Sequence, residues 1–376
     1  MKTTMKMKSQ KSIFKYLIFS VVLIAIIQGS SAQTFSNNKS ETKTYKASPE
    51  TTVEINNKYG KIHVIPWDKD SVKITASMSV HSNNLTRLEK VKNGINFNFS
   101  STKFYISAST DFGTNSNQLL TELKSLSDAI ISGQNQIEIN YMVYCPSQMN
   151  LNLVNKFGDV YIDDMFGKLK ISLSNGDLKI NKLEGEAQIE LAFGSGIIND
   201  IREGQLTVSY SDIKIKDALK LDIDSKSSTL NIDRADFVKV TSRRDKYFIN
   251  TVENFYGNSE FSQIWIENLL CETDCTLKYG SYAITDIQKE FCNINLNSEY
   301  TDINLSLKTG SKYEADIFYP DGASVNLPLN KEKYGYTNDR EGSVQWHSSF
   351  KSGTGETLPK LRILASQKSY ISILEK

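Results

Sequence analysis

Asn155-Lys156-Phe157-Gly158-Asp159-Val160-Tyr161-Ile162-Asp163-Asp164-Met165 contains a pattern that returns about once every eighteen residues. With Phe157 as position 0, the same register falls on Asn175, Phe193, Tyr210, Ser227, Arg244, Phe261, Tyr279 and Tyr300. Position +5 is then Ile162, Ile180, Ile198, Ile215, Ile232, Ile249, Ile266, Ile284 and Leu305, without a polar exception. Position +8 runs apolar from Met165 through Leu183 and Ile201 to Ile287. A fixed period carrying β-type alternation predicts stacked rungs: a mainly β protein, a parallel β-solenoid. One rung alone exposes an apolar face and unpaired backbone on both edges. The next rung satisfies both, by parallel hydrogen bonding and by stacking Ile on Ile.

Each rung reads as two strands. The first covers positions −6 to 0, as in Leu169-Ile171-Leu173, and the second covers +3 to +5. Position +1 is small at Gly158, Gly176, Gly194, Ser211, Ser228, Ser262 and Gly280. That suits a corner whose backbone takes conformations other residues resist. Position +6 holds Asp163, Asn181, Asn199, Asp233 and Asn250, turn residues whose amides can bond along the axis. The aromatics at position 0 share parity with apolar −2, −4 and −6, so they read as facing the core. Tyr161, in the opposite register, reads as exposed and available to a partner. With rungs about 4.8 Å apart, the array from Phe157 to Tyr300 is on the order of 40 Å long, without a lumen.

The organisation follows outward from this array. Residues 1–32 carry five Lys, an apolar run from Tyr16 to Ile27 and the small residues Ser30-Ser31-Ala32. They read as a signal peptide cleaved after Ala32, the apolar run being shorter than the roughly 20 residues a membrane span needs. Residues 33–46 are polar and read as a disordered lead-in. Residues 47–70 match the repeat, with Val53, Ile55, Tyr59, Gly60, Ile62, Val64 and Trp67 in register as a first rung. Residues 71–146 read as an N-terminal strand and helix insertion: a strand at Val72–Val80, a short helix on Leu85, Leu88 and Val91, a longer one on Leu119–Ile131, and a strand at Ile137–Val143. Residues 147–310 are the repeats. Residues 311–376 read as a C-terminal cap, with Asn330–Gly355 loop-like and Leu361–Ile373 as the last rung.

Of the 44 Lys and Arg, five lie before Gln33, so 39 face 43 Asp and Glu beyond it, a balance of about −4. No basic block remains to neutralise nucleic-acid phosphates, so no nucleic-acid partner is expected. No later segment is apolar enough for a transmembrane helix. Cys145, Cys271, Cys275 and Cys292 lie in a chain read as exported, where disulfides persist. Cys292 could pair locally with Cys271 or Cys275. Cys271-x3-Cys275 lacks the matching pair of a metal site.

His63, His81 and His347 lie far apart without ligand spacing, so no metal is expected. Phe193-Gly194-Ser195-Gly196 sits at a rung corner beside Gly158, Gly176 and Gly280 and reads as a turn. Asp159, Asp177, Asp212 and Asp302 at position +2 could form a carboxylate ladder for a cation or for acid–base work. Their repetition favours backbone capping instead. No catalytic, cofactor-binding or metal residue is therefore assigned.

Asn57-Lys58-Tyr59-Gly60-Lys61-Ile62-His63-Val64 and its counterpart at Asn155–Ile162 resemble a family of exported Bacteroidetes proteins labelled adhesin or auto-transporter adhesin head, of unknown function. The resemblance covers most of the chain after residue 32. It implies a right-handed β-solenoid at the cell envelope, in the periplasm or at the cell surface, with no catalytic residue to carry over. The reading is a non-enzymatic adhesin-like binding or structural scaffold whose partner is a protein or glycan. The alternatives are a polysaccharide-acting β-helix enzyme and an accessory of an envelope signalling system.

Overall fold

The computed structural model describes residues 35–48, 50–113, 136–328, 333–337, 344–355 and 357–376. The proposed signal peptide and the longer helix on Leu119–Ile131 lie outside the described residues. A parallel β-solenoid forms the body. Strands β8 (Asn150–Lys156) and β9 (Val160–Met165) make its first uninterrupted turn. β10 (Leu169–Ser174) and the long strands β11 (Asp177–Ala192) to β17 (Asn293–Leu307) continue it, each pairing in parallel with the next.

The pairing places +5 on +5. Ile180 lies opposite Ile198, Ile198 opposite Ile215, Ile215 opposite Ile232, and Ile232 opposite Ile249. All nine +5 residues are buried, and the +8 column from Met165 to Ile287 is buried beside them. Burying a full Ile side chain contributes roughly 1.5–3 kcal/mol, so this column is one of several comparable contributions in each rung. The amide ladder forms in part. Asn199 Nδ2 donates to Asn181 Oδ1 at 3.0 Å and Asn268 Nδ2 to Asn250 Oδ1 at 3.3 Å.

Both ends close in the same way, by threading one rung inside another. β2 (Thr52–Lys58) pairs in parallel with β8 on one side and with β6 (Tyr105–Asp111) on the other. β3 (Ile62–Pro66) likewise lies between β9 and β7 (Gln136–Cys145). The segment after the first rung therefore builds a further rung outside it. Antiparallel strands cover that rung: β4 (Ser71–Ser82) on β7, and β5 (Asn96–Ser101) on β6. The short helix is present as α1 (Leu85–Gly94), capped by Asn84 and burying Leu88 and Val91.

Three expectations need correction here. Phe35–Lys46 is not a disordered lead-in but strand β1, paired antiparallel with β4 from Phe35↔Ser82 to Lys46↔Ser71. β4 needs a partner for its free edge, and a polar, charged strand provides one without offering a new sticky edge. Asn330–Gly355 is not wholly a loop. β20 (Lys333–Thr337) and β21 (Val344–Ser352) form an antiparallel pair within it. β21 also lies along β18 (Tyr313–Pro320), burying Ser348 and Phe350. Finally, β22 (Lys360–Ala365) and β23 (Tyr370–Glu375) form a rung, but not the last one. β22 lies between β17 and β18, and β23 between β17 and β19 (Ser324–Asn326). The chain skips a rung and returns to fill it.

Cys271 and Cys292 are disulfide-bonded, while Cys145 and Cys275 are free and buried. Register decides between the alternatives. The rung after Tyr279 is longer, so Glu272 lies opposite Asn293 and Cys275 opposite Leu296. That brings the Cys271 and Cys292 Cα atoms to 4.7 Å, within the range a disulfide spans.

Candidate functional site

The corner of each rung differs from its sequence reading in two ways. The residue with left-handed backbone is position 0 itself. Tyr59, Phe157, Asn175, Phe193, Tyr210, Ser227, Arg244, Phe261, Tyr279 and Tyr300 all have φ between 49° and 66°. A side chain there costs about 1–2 kcal/mol and, except at Tyr59, which is buried beside Phe112, swings outward, which breaks the parity argument. The position-0 aromatics Phe157, Phe193, Tyr210, Phe261, Tyr279 and Tyr300 are exposed, not core-facing. They stack on one another instead: Tyr59 on Phe157 at 5.6 Å, Phe193 on Tyr210 at 5.1 Å, and Phe261, Tyr279 and Tyr300 in succession at 4.8 and 5.1 Å. Stacked aromatic pairs contribute about 0.5–1.5 kcal/mol beyond burial, which offsets much of the backbone cost. They form three short stacks, because Asn175 separates Phe157 from Phe193, and Ser227 and Arg244 separate Tyr210 from Phe261. The stacks brace the corner along the axis.

The small residue at +1 answers a different need, close approach of successive rungs. A Cβ added at Gly158 would stand 1.9 Å from the Gly60 carbonyl oxygen, and one at Gly176 would stand 2.1 Å from that of Gly158. Further along, the corner widens into a hydroxyl relay. Ser211 Oγ accepts from Gly194 N at 3.2 Å and Ser228 Oγ from Ser211 N at 3.2 Å. The next +1 residue is Asp245, which is buried. Its Oδ1 accepts from Ser228 N at 2.8 Å. Its Oδ2 accepts from Arg243 N at 2.8 Å, Ser225 Oγ at 2.7 Å and Ser242 Oγ at 2.8 Å. Tyr247, whose hydroxyl lies 2.6 Å from Ser225 Oγ, has its pKa pushed up by burial.

The motif Asn residues brace the same corner. Asn57 Nδ2 donates to the Ile139 carbonyl at 2.8 Å, and Asn155 Nδ2 donates to those of Gly60 and Asp159 at 2.8 and 2.9 Å. Two of the four +2 acids, Asp159 and Asp177, cap the next rung. Asp159 Oδ1 accepts from Asp177 N at 3.0 Å, and Asp177 Oδ1 from Ser195 N at 3.3 Å and Ser195 Oγ at 2.7 Å. Ser195 thus serves its corner. His63 stands edge-on to Tyr161 at 6.0 Å, His81 bonds Ser79, and His347 lies 3.0 Å from Asp316. Among the described residues, no three His, Cys, Asp or Glu gather as a metal cluster.

A shallow surface of about 390 Å³ gathers Lys168, Glu184, Glu186, Arg202 and Glu203. Lys168 Nζ donates to Glu186 Oε2 at 2.8 Å, and Lys182 holds Glu184 at 2.7 Å. Hydrogen bonding to these lysines, with their charge, lowers both glutamate pKa values.

Position +4 carries the feature sequence reasoning missed. It points outward between the buried +3 and +5 residues. Phe248 and Trp265 occupy it on successive rungs, directly opposite in register, 45% and 53% exposed. Asn231 precedes them, and Asp233, Asn250 and Glu267 stand beside them at +6. Together they line a pocket of about 370 Å³ floored by Ile232 and Ile249. Reading the +4 column down the repeat would have found two adjacent aromatics where the neighbouring rungs place Asn231 and Ala283.

The class these features define is a parallel β-solenoid with antiparallel end caps. No family model matches the chain, and no curated protein matches it. Among solved structures, it is similar to a "putative adhesin" from Parabacteroides merdae, 10% identical over 71% of this chain and 96% of that one, TM-score 0.34. A "putative adhesin" from Bacteroides fragilis is 12% identical over 72% and 97%, TM-score 0.27. A "putative cell adhesion protein" from Clostridium sporogenes is 10% identical over 90% and 100%, TM-score 0.17. At such values these likenesses carry no argument about activity, which rests on the residues above.

Proposed function

We propose that this chain is an exported cell-envelope protein, an adhesin-like scaffold that binds a partner through a solenoid flank and performs no catalysis. The observation that carries this reading is the outward Phe248–Trp265 surface: two adjacent aromatic side chains held open by a rigid ladder, with polar groups around them. Exposed apolar groups gathered this way mark interaction sites. Export is supported by the Lys-rich start, the apolar run and Ala32, and by a disulfide, which suits an oxidising compartment.

The acids support the same reading. Asp159 and Asp177 are engaged in backbone capping. Glu184 and Glu186 have their pKa values lowered, whereas a hydrolytic general acid needs one raised toward neutrality. The test has two parts. N-terminal sequencing of the exported protein should begin at Gln33; retention of residues 1–32 would overturn the localisation. The purified protein, screened against a polysaccharide panel, should bind envelope material saturably without turnover. Turnover that disappears when Asp159, Asp177, Asp212 or Asp302 is changed to Asn, with the fold intact by circular dichroism, would overturn the scaffold reading.

A further inference from the structure

We infer that the Phe248–Trp265 pocket is a binding site for a neutral glycan, which rests on reading the chain as a binding scaffold. Geometry comes first. Outward residues on adjacent rungs are about 4.8 Å apart along the axis and those two apart on a strand about 6.5–7 Å apart. Positions +4 and +6 of three consecutive rungs thus line one pocket: Asn231 and Asp233, then Phe248 and Asn250, then Trp265 and Glu267. The aromatic column runs down one side and the polar column down the other. At position +4 Trp265 is followed by Ala283, which cannot cover its far side. A flat apolar sugar face can lie on such a ring while its rim of hydroxyls meets the polar column.

Hydrogen-bonding chemistry selects among ligands. Asp233 and Glu267 are acceptors, and Asn231 and Asn250 offer both donors and acceptors. Asn250 Oδ1 already accepts from Asn268, which leaves its Nδ2 for the pocket. Vicinal hydroxyls donate and accept at once and match this set. A proline-rich peptide presents carbonyl acceptors without N–H groups and would give Glu267 no donor once it covered that carboxylate, an unfavourable outcome. Charge narrows the class further. The lining has two carboxylates and no cation. Lys214, on the preceding rung, is ion-paired with Asp233 at 3.6 Å. Lys246 stands on the +2 side of Phe248, away from the +6 column. A uronate or sulfate on the ligand would meet like charge at close range, which disfavours acidic glycans.

The test is calorimetric titration of the purified protein with cellohexaose, maltohexaose, chitohexaose, hexagalacturonate and decaproline. At least one neutral hexasaccharide should bind. Hexagalacturonate should bind about tenfold more weakly or not at all. Trp265→Ala and Phe248→Ala should each weaken binding by about tenfold or more, as central aromatic anchors do. Tyr210→Ala, in the corner column, should change affinity less than about twofold. Trp265 is half exposed, so the variant's unfolding curve should overlay that of the parent, and Trp265→Phe should recover part of the affinity. Three results would overturn the inference: no neutral glycan bound, equal binding of hexagalacturonate, or decaproline bound in their place. If the protein still binds envelope material and Trp265→Ala does not matter, the glycan site falls and the scaffold reading stands. If a hexasaccharide is cleaved, the scaffold reading falls with it.

Discussion

Asp245→Ala should be among the most destabilising single changes in the repeat array, although aspartate is usually a surface residue. The side chain is 2% exposed and accepts four hydrogen bonds. Two donors are backbone N–H groups, of Ser228 and Arg243, and neither can turn toward another acceptor. Leaving a buried donor unsatisfied costs about 1–3 kcal/mol, so the pair costs about 2–6 kcal/mol. The two hydroxyls can retarget: Ser225 toward Tyr247 at 2.6 Å, Ser242 toward Ser262 at 2.9 Å. Removing a buried carboxylate also recovers part of its desolvation penalty. The net expected loss is about 3 kcal/mol. Asp245→Asn keeps one acceptor oxygen but turns an amide N–H₂ on a donor, so it should lose roughly 1–2 kcal/mol. Asp212→Ala, exposed at +2, should stay within about 0.5 kcal/mol of the parent. Rungs interact mainly with their neighbours, so urea unfolding followed by circular dichroism should be paired with amide hydrogen exchange. The Ser228 and Arg243 amides should lose protection first. An Asp245→Ala protein as stable as Asp212→Ala, with both amides still protected, would refute the account of this corner.

Ile215→Asp should cost several kcal/mol because it places an unpaired charge directly opposite buried Ile232. Lys214→Asp, one residue away, loses only an exposed ion pair worth about 0–1 kcal/mol, and equal thermal destabilisation of the two would show the register to be wrong. Cys292→Ser should destabilise by about 3 kcal/mol for a crosslink of 21 residues' separation, and a non-reducing peptide map should join Cys271 to Cys292; a Cys275–Cys292 peptide would contradict the pairing. Alkaline pH should unfold the chain. Burial raises Tyr141 from 10.0 to about 12 and Cys145 and Cys275 from 9.0 to about 12. These groups are neutral when protonated, so the unfolded state releases protons first and stability falls as pH climbs from about 9 to 12. Tyrosinate absorbance and circular dichroism should then change together for the buried tyrosines; full Tyr141 ionisation at pH 10 in folded protein would contradict its burial.

The repeat, its register and its core columns were legible in the chain because they depend on local pattern. Alternation with period two sets which side chains face inward, and recurrence about every eighteen residues sets which meet between rungs. Ile162 to Leu305 are buried for that reason. The turn role of Asp159 and Asp177 was legible too, since capping needs only a short side chain at a repeated corner. Three-dimensional packing decided the rest. Left-handed backbone at position 0 turned the aromatic column outward, because alternation holds along a strand and lapses where the chain bends. The unpaired edges of β4 and β17 recruited β1 and the β22–β23 rung, segments distant in sequence whose own patterns do not name a partner. A longer rung shifted the register so that Cys271, not Cys275, met Cys292. The Asp245 network and the Phe248–Trp265 pocket each join residues from adjacent rungs. Such a site exists once the pitch of the solenoid has brought position +1 or +4 of one rung beside its counterpart on the next.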